Sequence, residues 1–139
     1  MIVADSNVWA YLWLPGEHTR VARAVWDKDP DWHVPVLWCP EMRSILVGYL
    51  RRKSMDVADI VMAMTAMEKS LRHSEHDVDC GAVFDAAQRS SCSAYNCEFV
   101  ALAEALAAPL VTEDRQVLAA FPQRAVSMVD FVTHQSHEQ

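Results

Sequence analysis

The chain has 139 residues, of which 52% are hydrophobic and 22% charged, and its formal net charge is −7. This length fits one domain, and the composition excludes a mainly disordered or collagen-like chain. The acidic balance excludes a protein that holds nucleic acid by bulk attraction alone. Any contact with nucleic acid therefore requires a local basic patch or a metal ion that cancels carboxylate charge.

In the first half of the chain, short apolar runs alternate with helical patterns. Residues 2–4 form an apolar run that predicts a buried strand, and this strand stops at Asp5. Ser6 or Asn7 is expected to cap the following helix, which ends at Pro15. The other elements predicted in this half are a helix over 18–28, a strand over 32–37, a helix that opens at 39–41 and a helix over 55–73.

The second half predicts a strong helix over 93–106 and a further buried strand over 109–112. Short apolar strands that alternate with helices imply an α/β fold, here three α/β/α layers around a central parallel sheet. Right-handed crossovers bring the C-terminal strand ends to one edge, where ligands bind in such sheets. The remaining predicted elements are a brief extended link or strand over 77–79, helices over 81–90 and 115–121, a strand over 125–128 and a short element over 129–132.

The N-terminus and the cysteines indicate the cellular compartment. The start of the chain lacks a basic leader segment and turns polar at Asp5, so it is expected to be a mature N-terminus. The longest apolar stretch, residues 99–111, is interrupted by Glu104 and is too short for a membrane span of about 20 residues. We therefore expect a cytoplasmic protein without membrane association and with reduced thiols. The cysteines, none of them in a CxxC pair, are Cys39, Cys80, Cys92 and Cys97.

Three carboxylates are expected at one edge of the sheet. Asp5 follows the first strand, Asp114 follows the strand over 109–112, and Glu41 lies in the first helical turn after the second strand. Acids gathered without cations repel one another. A divalent ion such as Mg²⁺ or Mn²⁺ offsets this repulsion because hard cations prefer oxygen ligands. The alternative is that each acid only caps a helix, but three acids at one edge favour a metal site.

Four segments resemble, in order, the motifs of the PIN-domain ribonucleases. IVADSNVW is similar to their opening motif, CPEMRSIL to the second, SAYNCEFVALAEAL to the third and LVTEDRQVL to the fourth. The resemblance covers residues 2–132 and extends to the small toxin ribonucleases of bacterial VapBC-type toxin–antitoxin pairs. It implies a PIN-like domain over residues 1–133, followed by a polar C-terminal tail over residues 134–139.

The resemblance also implies a function. That function is a Mg²⁺- or Mn²⁺-dependent endoribonuclease that acts on RNA as the toxin of a type II toxin–antitoxin pair. The implied partner is a cognate antitoxin protein, and the implied assembly is a homodimer. Asp5, Glu41 and Asp114 match the catalytic, metal-binding acids of the family. Hydrolysis of a phosphodiester needs an activated water and relief of negative charge, and bound metal ions supply both. The matching supporting positions are Ser6, Asn7 and Thr112.

Asn96 departs from the family pattern, which has aspartate at this place in the third motif. As a fourth metal ligand, asparagine still offers a carbonyl oxygen but no charge, so metal affinity is expected to be weaker. Glu98 and Glu113 are the candidates that compensate, although a regular helix turns Glu98 about 200° away from Asn96. The departure leaves an alternative open, a catalytically weakened PIN-like module that binds RNA or a partner protein. A third hypothesis is a metal-dependent phosphatase of unrelated α/β type.

Basic and aromatic residues are the candidates for substrate and partner contacts. Arg115, beside Asp114, is placed to hold a phosphate, and Arg43 belongs to the densest basic group of the chain. Basic residues near a helix C-terminus also complement the helix dipole, which is the alternative interpretation for that group. Tryptophans at helical spacing, such as Trp9 and Trp13, are expected in a core or interface rather than under RNA bases.

Overall fold

The computed structural model describes residues 1–134, in which short strands alternate with helices as the sequence predicts. The predicted tail over residues 134–139 lies outside the described residues except for His134. The strands are β1 (Ile2–Ala4), β2 (Trp32–Pro35), β3 (Glu75–His76), β4 (Leu110–Val111) and β5 (Ala125–Val126). The helices are α1 (Ser6–Trp13), α2 (Thr19–Lys28), α3 (Trp38–Arg51), α4 (Val57–Leu71), α5 (Cys80–Gln88), α6 (Ala94–Leu106), α7 (Arg115–Ala120) and α8 (Met128–Thr133).

The five strands form one sheet in the order β3-β2-β1-β4-β5, and every pair is parallel. The central strand β1 is buried along its whole length, which is why it reads as a continuous apolar run. In its register with β4, Ala4 lies opposite Val111. Because the strands are parallel, Asp5 and Thr112 leave the sheet at the same edge, side by side.

The helices form one layer on each face of the sheet. Successive side chains of a strand point to opposite faces, so Ile2 and Ala4 join one core cluster while Val3 joins the other. The first cluster packs against α1, α2, α3, α4 and α8, and the second packs against α5, α6 and α7. The predicted three-layer α/β/α architecture is confirmed.

Tryptophans form the centre of the first core cluster. Trp9 and Trp32 are 1% and 2% exposed, and their rings meet nearly edge to face with centroids 5.1 Å apart. The fully buried Trp38 donates its indole N–H to Oε1 of Glu75 at 2.9 Å. The prediction is therefore confirmed for Trp9, which is a core residue, and the half-buried Trp13 packs against the same cluster.

Several predicted element boundaries are wrong. The N-cap position of α1 is Asp5, not Ser6 or Asn7. Residues 77–79, predicted as a brief extended link or strand, form a link: the short strand lies at Glu75–His76, and Asp79 caps α5 by accepting a hydrogen bond from the N–H of Ala82 at 3.0 Å.

The end of the last strand was also predicted too late. The predicted strand over 125–128 ends at Val126, because the hydroxyl of Ser127 accepts a hydrogen bond from the N–H of Asp130 at 3.1 Å and starts α8. Short edge strands are therefore the part of the fold that the sequence pattern located least well.

Pro35 is tolerated within β2 because of where β1 ends. The pairing of β1 with β2 extends to His33, so the missing N–H of Pro35 removes no bond on that side. On the other side, Val34 and Val36 donate to the carbonyls of Ser74 and His76, both at 3.0 Å. Within residues 1–134, no helix has both the length and the apolar character needed to cross a membrane.

Candidate functional site

The side chains of Asp5 and Thr112 meet where β1 and β4 end. The Thr112 hydroxyl donates a hydrogen bond to Oδ2 of Asp5 at 2.7 Å. The same hydroxyl accepts a hydrogen bond from the backbone N–H of Asp114 at 3.1 Å. Asp5 is 6% and Thr112 is 1% exposed. Thr112 thus fixes the Asp5 carboxylate and ties the Asp114 backbone to it.

Asp114 connects α6 and α7 at this edge. Its Oδ1 accepts a hydrogen bond from the N–H of Val117 at 3.0 Å, which caps α7. Its Oδ2 accepts a hydrogen bond from the side-chain amide of Asn96 at 3.3 Å. Asn96 is held at this place because Ser93 caps α6 and accepts a bond from the Asn96 backbone N–H. Asp114 is therefore a helix cap, as the alternative interpretation proposed, and also a neighbour of the buried Asp5.

Glu41 reaches the same place from the first turn of α3. It is half-buried, and burial raises its pKa, with a further rise from the charge of Asp5. The Ser6 hydroxyl lies near the Glu41 carboxylate and opposes this rise in pKa. That hydroxyl is completely buried, yet it makes no full hydrogen bond to any group within residues 1–134. Strands β1 and β4 and helix α3 thus bring the three predicted acids to one edge, and α6 adds the uncharged Asn96.

Burial determines the electrostatics of Asp5. It raises the pKa of the carboxyl above the ordinary value of 3.8, and the charge of Asp114 raises it further. The Thr112 hydroxyl and the backbone N–H groups of Ser6 and Asn7 lower the pKa in part, although neither N–H makes a capping hydrogen bond. Asn7 itself is exposed on the first turn of α1.

Within residues 1–134, no cationic side chain forms an ion pair with these carboxylates. Among residues 1–134, the ion pairs involve other acids, and none includes Asp5, Glu41 or Asp114. Burying charge without a partner is unfavourable, and a divalent ion relieves it. The oxygen donors of these acids and the unpartnered hydroxyl of Ser6 are of the chemical type that suits Mg²⁺ or Mn²⁺.

The side chains of Asp5, Glu41 and Asp114 are neighbours, but they are not close enough together to coordinate one ion. In the described part of the chain, no group of three histidine, cysteine, aspartate or glutamate side chains is close enough together to hold a metal. Both oxygens of Asp114 already accept one hydrogen bond each, although each keeps a further lone pair. The residues therefore fit a hard cation by chemistry and charge, and binding requires that the carboxylates draw closer.

The two candidates for compensating Asn96 occupy different surroundings. Helix α6 is continuous over Ala94–Leu106, so Glu98 is turned about 200° from Asn96. Oε2 of Glu113 accepts a hydrogen bond from the N–H of Met128 at 2.9 Å, at the start of α8. Compensation by either residue stays a prediction.

The two arginines proposed for substrate binding lie on different helices. Arg115 is exposed at the start of α7, directly beside Asp114. Arg43 is exposed on α3 and lines a separate pocket of about 510 Å³, whose lining includes the basic Lys69 and Arg72 and the acidic Glu68 and Glu75. Neither Arg43 nor Arg115 forms an ion pair within residues 1–134. Of the two, Arg115 is the one next to the acids.

Sequence reasoning missed tyrosines near the site. Burial and then the charge of Glu113 raise the pKa of Tyr11, and Asp5 contributes to the same rise. On α6, Tyr95 is 64% exposed and lines a pocket of about 360 Å³ next to Glu41. Only their positions next to predicted site residues could have indicated them. Tyr95 directly precedes Asn96, and Tyr11 lies one helical turn after the Ser6–Asn7 pair.

Comparison with known proteins adds no relative to these observations. No protein-family model matches the sequence, and no curated protein matches it. The candidate site therefore rests on its own geometry and on the four motifs.

Proposed function

We propose that the protein is a Mg²⁺- or Mn²⁺-dependent endoribonuclease of PIN-like type, the toxin of a type II toxin–antitoxin pair. The observation that carries this proposal is the buried Asp5 carboxylate, which interacts with the charges of Asp114 and Glu41 and has no cationic partner within residues 1–134. Uncompensated acids at a strand-end edge are costly for a fold and useful for holding a metal.

Asp5, Glu41 and Asp114 would hold the ion, with the side-chain oxygen of Asn96 as an uncharged fourth donor. When bound, such an ion activates water and neutralises the negative charge that develops in phosphodiester hydrolysis. Thr112 positions Asp5 by donating a hydrogen bond to its Oδ2. Within residues 1–134, no side chain donates a hydrogen bond to the other oxygen of this carboxylate. Positioning of this kind keeps a ligand in one orientation before the ion arrives.

Substrate binding requires positive charge next to the acids, since the protein as a whole repels RNA. Arg115 is exposed and directly follows Asp114 in the chain, so it is the proposed phosphate contact. Arg43 is the second candidate, and a substrate long enough to reach its pocket from the acids would contact both.

Exposed apolar side chains support a protein partner. On α4, Val57, Val61 and Met62 are 60%, 56% and 71% exposed. An apolar helix face of this kind favours association with another chain. The antitoxin and the homodimer both follow from the proposed toxin function, and size measurement of the purified protein alone and with a co-expressed neighbour tests them.

One observation favours a second candidate function, the catalytically weakened module that binds RNA or a partner protein. The Asn96 amide donates a hydrogen bond to Oδ2 of Asp114, so that oxygen is satisfied without a metal. An aspartate at position 96 would repel Asp114 and demand a cation. The natural residue thus lowers the need of this edge for an ion.

Cleavage of an RNA pool containing tRNA and structured RNA tests the proposal. The native protein is compared with Asp5→Ala and Asn96→Asp, in Mn²⁺ and in EDTA. Asp27→Ala, which removes an exposed acid of α2, is the matched control. We expect cutting by the native protein and the control in Mn²⁺, with a loss of about 10²- to 10³-fold in Asp5→Ala, the size reported for removing one preorganised electrostatic group.

Two other results lead elsewhere. Undiminished cutting by Asp5→Ala would refute the role of the acids. RNA binding without cutting by the native protein, restored to cutting by Asn96→Asp, would establish the weakened module. The calorimetric titration of Mn²⁺ into the same samples separates a protein that lacks the ion from one that holds it and lacks a suitable RNA.

A further inference from the structure

The pocket beside Glu41 has a composition unlike the rest of the acidic edge. Its walls come from the start of α3 and from the first turn of α6. Its volume is about 360 Å³, near the lower end of the roughly 300–1,000 Å³ of small-ligand sites. Besides the Glu41 carboxylate, its lining consists of the uncharged side chains of Leu37, Pro40, Ser44 and Tyr95.

Tyr95 presents its ring to solvent at this place. The side chain is 64% exposed, although it lies on the helix that delivers Asn96 to Asp114. An aromatic ring left in water beside an apolar wall loses the stabilisation that burial would give. Phe84, which is 72% exposed on α5 and does not line this pocket, provides a reference for an exposed aromatic residue outside it.

We infer that this pocket is a nucleobase subsite, in which Tyr95 stacks on one base of the RNA whose scissile phosphate lies at Asp5, Glu41 and Asp114. The inference rests on the proposed function and adds the position that selects where along a strand cleavage occurs. The Glu41 carboxylate forms both a wall of the pocket and part of the acidic edge, so a nucleotide bound at the edge has its neighbouring base at the pocket.

The chemistry of the lining fits a base better than another group. Every base has an aromatic face, so stacking on Tyr95 between Leu37 and Pro40 requires no particular sequence. The Ser44 hydroxyl adds a hydrogen-bonding group that both donates and accepts, suited to a base edge. The pocket has no basic side chain in its lining, so a phosphate is the wrong ligand for it. The volume accommodates one base with its sugar rather than a run of stacked bases.

Binding of RNA with single abasic positions tests the subsite. The probe is a short fluorescein-labelled single-stranded RNA, and fluorescence anisotropy is measured at one fixed salt concentration, since affinity depends on salt. All proteins carry Asp5→Asn, which keeps the RNA intact. Tyr95→Ala is compared with Tyr95→Phe, which keeps the ring, and with Phe84→Ala as the control on α5.

We expect Tyr95→Ala to weaken binding about tenfold, the order expected for one lost aromatic–base stack, and the other two variants to bind as the parent does. In a series of probes with the abasic position moved along the strand, one position should abolish the difference between Tyr95→Ala and its parent. That result assigns one base to Tyr95, which a merely structural role of the tyrosine cannot reproduce.

The inference is overturned if Tyr95→Ala binds every probe as its parent does, or loses the same factor on all abasic probes. It is also overturned if the parent binds none of them. Its failure is separable from that of the nuclease proposal. If Asp5→Ala abolishes metal-dependent cutting while Tyr95→Ala leaves the KM for RNA unchanged, only the subsite is refuted. Abasic-sensitive binding without any cutting keeps the subsite and removes the nuclease.

Discussion

The two ends of the parallel sheet differ in the partners of their carboxylates. Where β1 and β2 begin, the N-terminal ammonium of Met1 pairs with Asp29 at 2.6 Å, and His33 Nε2 lies 2.8 Å from Oδ1 of Asp31. Where β1 and β4 end, Asp5 and Asp114 receive only uncharged donors. Both ends belong to the same sheet and share β1, so the difference lies in the side chains that surround each end.

Solvent makes the contrast stronger. The Asp31 side chain is 55% exposed, so water contributes to stabilising its charge. Asp5 is only 6% exposed and forms no ion pair within residues 1–134, and its pKa is raised by burial. A fold that can pair acids at one end and leaves them unpaired at the other has an arrangement that suits an external cation. The following changes test that reading.

The largest expected effect is the exchange of the buried charge at Asp5 for an amide. Because the folded-state pKa of Asp5 is raised above 3.8, the folded protein keeps this proton at pH values where the unfolded chain has lost it. Stability is therefore lost as pH rises from 3.8 through the folded-state pKa. We expect Asp5→Asn to melt above the native protein at neutral pH in EDTA, with the difference vanishing in acid.

Mn²⁺ should reverse that order. At a concentration about 100 times its Kd, an ion that binds only the folded state stabilises it by about 2.7 kcal/mol. The native protein should gain this stabilisation from Mn²⁺, whereas Asp5→Asn should not. Asp31→Asn, at the opposite end of the sheet, is the control and should respond to Mn²⁺ as the native protein does. Equal responses of all three proteins in differential scanning calorimetry would contradict the site.

The next effect is expected from Thr112→Val, which keeps the shape and removes the hydroxyl. The buried Oδ2 of Asp5 then loses its 2.7 Å hydrogen bond, and the Asp114 N–H loses its acceptor. Leaving a buried acceptor unsatisfied costs about 1–3 kcal/mol. Urea unfolding should show this loss at neutral pH, and Mn²⁺ binding should weaken because Asp5 is no longer fixed.

Thr65→Val provides the matched control for that change. Thr65 donates to the carbonyl of Val61 within α4 and is exposed. Its loss should alter the free energy of unfolding by less than about 0.5 kcal/mol, as surface changes usually do. A loss of similar size in both variants would mean that the Thr112 hydroxyl has no special role.

A smaller, two-sided effect is expected from Asn96→Asp. The substitution replaces a donor 3.3 Å from Oδ2 of Asp114 by a second carboxylate. In EDTA the repulsion and the lost hydrogen bond should lower the free energy of unfolding by about 1 kcal/mol. In calorimetric titration, Mn²⁺ should bind more tightly than to the native protein. Weaker Mn²⁺ binding would show that Asn96 does not face the ion.

The meeting of Asp5 with Thr112 and Asp114 was predictable, whereas its details were not. An apolar run that stops at Asp5 and another that ends at Thr112 predict two parallel strand ends at one edge. The hydrogen bond from the Asn96 amide to Asp114 depends on how α6 docks against α7, and no local pattern encodes that docking. The pocket at Tyr95 is likewise made by two helix starts that are far apart in sequence.

The same limit explains why strand β3 was not predicted at Glu75–His76. Glu75 and His76 carry no apolar alternation, and they pair because the backbone of β2 offers N–H groups from Val34 and Val36. Two residues at a sheet edge need no burial to pair. Long helices and central strands were located from their hydrophobic patterns, because each residue on a buried face has to be apolar.

The smallest expected effect lies on β2 and β3, where His33 Nδ1 is 2.8 Å from Nε2 of His76. Burial, and then the neighbouring His33, lower the pKa of His76 below 6.5. The unfolded chain therefore takes up this proton first as pH falls, so stability decreases with acidification, beginning near pH 6.5 and continuing down to the folded-state pKa. His76→Gln should remove that slope from the melting temperature between neutral and mildly acidic pH. The exposed His73→Gln should keep it, and an unchanged slope in both variants would place the pH sensitivity elsewhere, with the acids at the other end of the sheet as the first place to test.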